Sequence, residues 1–196
     1  MKNILLTTGL LMFLFSTTQL SAQREILDTP PVFITLGTGI NHTGLLSLGL
    51  EVPVHENIAV FGDAGVGGWG YKLGAGVGYF PKSVRKGPGL NLAYYMASGS
   101  GGEPIAQFDD GSNSYEFILN RVGTLNFTYS QNWHLGRRGK FSLVAGYAIA
   151  TGDKHASYED VFGLEANQTA RTFMGILHPD GLIIGIKFLF GVGGRR

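Results

Sequence analysis

The chain has 196 residues, no cysteine and 31 glycines, with 15 Lys plus Arg against 14 Asp plus Glu. The charged fraction of 15% is well below the roughly 25% of soluble domains. Without clustered Lys and Arg on one face, a nucleic-acid partner is excluded, and without cysteine so are a disulfide framework and a lipoprotein anchor.

Residues 1–22 read as a secretory signal peptide, with Lys2 as the positive start, Ile4–Phe15 as the apolar stretch and "TTQLSA" ending at Ala22 before Gln23. The apolar stretch is too short to cross a bilayer as a helix, and no later continuous apolar run is long enough. The expected mature chain is exported from a bacterial cytoplasm: a short segment, 23–30, then one domain over 31–196.

Eight strand-like stretches follow: Val32–Ile40, Leu45–Val54, Ile58–Gly67, Tyr71–Phe80, Leu90–Ser98, Val122–Trp133, Phe141–Ala150 and Leu182–Phe190. The sixth can begin as early as Tyr115, because Tyr115, Phe117 and Leu119 keep its parity. In "YKLGAGVGYF", residues 71–80, bulky Tyr71, Leu73, Val77 and Tyr79 alternate with Gly74, Gly76 and Gly78. Period-two alternation marks a β-strand. Sorted this way, every strand has one apolar face and one small, polar face.

The small face carries Thr35, Ser47, Asn91, Thr124, Asn126, Thr128, Ser130 and many glycines, but few charges. A soluble barrel would show water a charge-rich surface. A membrane barrel meets lipid with its apolar face and fills a narrow lumen with small polar residues. The expected fold is therefore all-β, an eight-stranded antiparallel up-and-down transmembrane barrel.

The links between strands agree. The long ones, 99–114 and 151–180, fall on the same end, as extracellular loops do in outer-membrane barrels. That end collects Glu103, Asp109, Asp110, Glu116, Asp153, Glu159, Asp160, Glu165 and Asp180 against Arg121, Lys154 and Arg171. The periplasmic end collects Arg24, Lys82, Arg85, Lys86, Arg137, Arg138, Lys140, Arg195 and Arg196 against Glu25, Asp28 and Glu56. Trp69, Tyr71, Tyr115 and Phe117 at one end, and Tyr79, Phe80, Trp133, Phe141, Phe188 and Phe190 at the other, suit headgroup belts.

Lumen parity also picks out Glu51, Asp63, Lys72 and Lys187. Buried charges need partners. Asp63 with Lys72 across a hairpin, and Glu51 with Lys187 across the closing strand, are the expected ion pairs. Phe33, Phe61 and Tyr95 share that parity and add bulk, so a filled interior is expected.

The chain resembles the small eight-stranded outer-membrane barrels, the OmpA transmembrane domain and the OmpX-like and OmpW-like proteins. The resemblance lies in the architecture of residues 31–192. "LSAQ" and "YKLGAGVGYF" also look like small barrels of Bacteroidota. Barrels of these families usually end on an aromatic residue, whereas Phe190 here is followed by "GVGGRR". The resemblance implies outer-membrane lipid and lipopolysaccharide as surroundings. It also implies a structural, adhesive or ligand-binding role toward an unidentified extracellular ligand, a small-solute channel, or lipid A modification.

Chemistry-bearing motifs are sparse. "KHASYED" places His155 two residues before Ser157, with Glu165 further on. It resembles the His-x-Ser pattern of outer-membrane lipid A deacylases, in which His is base, Ser nucleophile and an acid orients the His. Tyr158 stands where those enzymes usually carry Asn, and a solvated loop is the favoured reading. "DDGSNS", residues 109–114, lacks the spacing of a calcium loop and reads as a flexible polar loop. His42, His55, His134, His155 and His178 show no metal-ligand spacing. No cofactor, metal or enzymatic site is expected.

Overall fold

The computed structural model describes residues 32–102, 104–109, 114–136, 138–152, 158–160, 172, 174–175 and 177–193. The expected signal peptide and the segment after it lie outside these residues. The strands in chain order are β1 Val32–Ile40, β2 Leu46–His55, β3 Ile58–Gly67, β4 Gly70–Tyr79, β5 Gly87–Ala97, β6 Pro104–Asp109, β7 Ser114–Leu119, β8 Val122–Leu135, β9 Gly139–Ala150, β10 Tyr158–Asp160 and β11 Gly181–Val192.

Eight of them close a barrel in the order β1-β11-β9-β8-β5-β4-β3-β2. Every pairing is antiparallel, and β1 seals the barrel against β11 from Val32↔Val192 to Ile40↔Ile184. Closure leaves no free edge. The links 56–57, 80–86 and 136–138 lie at one end with both ends of the described chain (the turn end). The remaining links lie at the other (the loop end).

Alternation sets the two faces, and the usual order of a soluble protein is inverted. Outward side chains such as Leu48, Leu73, Tyr71 and Leu182 are 58%, 67%, 72% and 61% exposed. Inward Thr35, Ser47, Asp63, Asn126, Asn132 and Ser142 are buried. The inward glycines make room for these polar groups. A Cβ at Gly49 would overlap the Asp63 carboxylate, and one at Gly74 would overlap the Tyr95 ring.

The sequence expectation falls short in one element. The stretch from Tyr115 is not the start of the sixth barrel strand. It is β7, which pairs with β6 and β10 in a separate three-stranded sheet at the loop end. Its parity matches the barrel strand, but its hydrogen bonds go to β6, with Glu116 opposite Gln107. Asn120 and Arg121 separate it from β8. At the ends of the "DDGSNS" stretch, Asp109 of β6 pairs with Ser114 of β7; residues 110–113 lie outside the described set.

Candidate functional site

Two regions gather chemistry: the lumen and the cap over the loop end. The lumen is organised by two buried ion pairs. Near the turn end, Lys140 Nζ donates to Glu51 Oε1 at 2.5 Å and to the Val84 carbonyl at 2.9 Å. It also lies 5.3 and 5.1 Å from the Phe33 and Phe80 ring centres. Nearer the loop end, the Asp63 carboxylate accepts from Lys187 Nζ at 3.0 Å, from the Tyr95 hydroxyl at 2.9 Å and from Thr43 Oγ1 at 3.4 Å. Lys187 lies 5.0 Å from the Phe61 ring centre.

All four sequence-expected charges are in the lumen, but their pairing is corrected. Asp63 does not meet Lys72, and Glu51 does not meet Lys187. The Gly68–Trp69 turn sets Gly67 opposite Gly70, so Asp63 faces Gly74 and Lys72 faces Gly65. Glu51 lies opposite Phe33, which lies opposite Gly191 rather than Lys187. Lys72 instead donates to the Asn41 carbonyl at 2.9 Å and lies 5.3 Å from the Tyr95 ring centre.

Lys140, counted in the sequence among the charges of the periplasmic end, is 1% exposed and points inward. It is the second residue of β9, on the parity of Ser142, so the pattern that sorted the other strands reaches it once β9 starts at Gly139. Two inward folds had no signal in the strand pattern. The 80–86 link turns into the turn end, burying Phe80 and Val84. Asn57 holds it there, through its backbone carbonyl at 2.8 Å from Phe80 N and its Nδ2 at 2.7 Å from Phe80 O. The 41–45 link drops His42 and Thr43 inward at the loop end, with His42 Nδ1 and Thr43 Oγ1 3.0 Å apart. Burial, with Lys187 and then Lys72 nearby, pushes the His42 pKa well below its usual value.

The space left between the two ion pairs is a cavity with a water-accessible volume of about 30 Å³, room for about two waters. Glu51 and Lys187 both border it. Phe33 and Tyr95 are buried, as their parity predicted.

The cap is held by an apolar cluster of Trp69, Ala97, Phe117, Leu119, Val122 and Met174. Trp69 was expected at the headgroups; it is instead 3% exposed, because the loop-end sheet folds over it. Its Nε1–H donates to the Asn120 carbonyl at 2.9 Å, and its ring meets His178 edge-on at 5.1 Å. His178 Nδ1 lies 2.6 Å from Asp180 Oδ1, and Phe117 packs edge-on to Tyr158 at 5.7 Å. Trp69→Ala is expected to cost the cap about 3–5 kcal/mol while the barrel ladders stay intact. Limited trypsin digestion should then cut at Arg121 faster than in the parent, with the folded barrel band retained.

His155, Ser157 and Glu165 all lie outside the described residues. Neither a protein-family model, nor a curated protein, nor a solved structure matches this chain. The likeness to small outer-membrane barrels is therefore one of architecture, carried by the closed eight-stranded antiparallel barrel.

Proposed function

We propose that this chain is an outer-membrane barrel that anchors its loop-end cap on the cell surface, where the cap binds or adheres to a partner. One observation carries the membrane half of the reading. A closed barrel with Leu, Ile, Val and aromatic side chains exposed around its outside, and polar side chains sealed inside, is stable in hydrocarbon and poorly suited to water. Outer-membrane lipid and lipopolysaccharide are then its immediate surroundings, and the OmpA-, OmpX- and OmpW-like barrels its architectural relatives.

The binding half follows from where freedom remains. The lumen is occupied by ion pairs, aromatic rings and the inward-folded links. This supports an anchor over a small-solute channel. The loop end bears a second sheet with its own apolar cluster and most of the acidic residues. Such a surface suits a basic partner.

An epitope inserted at Gly101 tests the orientation. Nothing lies within 4 Å of where a side chain would start, so an insertion after it, which keeps the glycine and its positive φ, should be tolerated. Antibody should label it on intact cells, while an epitope between Arg138 and Lys140 should be reached only after the outer membrane is opened. Labelling of the second on intact cells would overturn the orientation and move the binding surface to the turn end.

A further inference from the structure

The lumen holds more positive than negative charge. Lys72, Lys140 and Lys187 are matched by Glu51 and Asp63 alone among the described inward residues of the barrel strands, and Lys72 has only a backbone carbonyl and a ring face as partners. A surplus buried charge is costly unless something compensates it.

The cavity between the ion pairs is also rich in donors. Asn91 Nδ2 donates to Thr128 Oγ1 at 3.2 Å and to Ser130 Oγ at 3.3 Å. Each hydroxyl has one hydrogen and two acceptor positions. Having accepted from Asn91, both keep an O–H to offer the cavity they line. Lys187 borders the same space, and one of its three N–H groups is used on Asp63. Asn126 is 2% exposed, lines the cavity, and leaves its Oδ1 without a partner. Because that oxygen is sealed off, the NH₂ group is the end of the amide left to face the cavity.

We infer that this cavity is a binding site for a single halide ion, held by the Lys187 ammonium, the Thr128 and Ser130 hydroxyls and the Asn126 amide. The ion balances the net positive charge of the lumen as a whole, since Lys72 itself does not line the cavity. The volume of about 30 Å³, room for about two waters, favours a monatomic anion over the larger phosphate. Glu51 also borders the space, but its charge is matched by Lys140.

The test is thermal unfolding of the purified, detergent-folded protein at fixed ionic strength, with sodium gluconate replaced stepwise by chloride or bromide. The expected result is a midpoint that rises and saturates with either halide. Asn126→Leu, which removes the amide and fills the space, should weaken the apparent halide affinity at least tenfold; should that variant not fold, Asn126→Ser tests the same contact. Crystals grown in bromide should show one anomalous peak within hydrogen-bond distance of Lys187 Nζ. Equal midpoints in gluconate and halide, or a cavity holding only water in those crystals, would overturn the site.

Discussion

Replacing Asp63 with alanine will destabilise the barrel by about 3–5 kcal/mol, the usual cost of removing one member of a buried ion pair. The loss strands three groups at once: Lys187, the Tyr95 hydroxyl and the Thr43 hydroxyl, all of which donate to this carboxylate. The double variant Asp63→Ala, Lys187→Met should recover part of the loss, because it removes the orphaned ammonium. Lys72→Met separates the observed network from the simple cross-hairpin pair. It gives up one bond to a carbonyl and should cost much less than Asp63→Ala. Urea unfolding in lipid vesicles measures all three. Equal losses for Lys72→Met and Asp63→Ala would show that Asp63 pairs with Lys72 after all.

Arginine on the outward face should be the second large effect. Leu48 and Ile186 are outward residues of β2 and β11, third and sixth in their strands, 58% and 36% exposed. At the midplane of a membrane barrel an arginine costs about 2–4 kcal/mol. Leu48→Arg and Ile186→Arg should each lose that much in vesicles, and their combination should lower the folded yield further. On a water-facing barrel the same changes would be neutral or would raise solubility. That outcome in detergent-free buffer would remove the lipid from the picture.

The eight barrel strands were legible because alternation has only one solution when one face must be apolar and the other crowded. Val32–Ile40 and Ile58–Gly67 match their sequence ranges. What alternation does not specify is which strand a segment bonds to. Tyr115, Phe117 and Leu119 keep the β8 parity yet belong to the cap, since parity is local and pairing is not. Register posed the same difficulty in the lumen. Parity placed Glu51, Asp63, Lys72 and Lys187 inside, but a two-residue turn at Gly68–Trp69 shifted Lys72 past Asp63. Lys140 then took the place given to Lys187. His42, Thr43 and Val84 sit in links, where no periodicity reports whether a side chain turns into the barrel or away from it.

The apolar face meeting lipid is tested most directly by fractionating cells that express the full chain and running the outer-membrane fraction with and without boiling. The expected result is recovery with the outer membrane, and a band that migrates differently unheated, because a closed barrel resists detergent unfolding until heated. Recovery in the soluble fraction, with one band unaffected by heating, would contradict the membrane barrel.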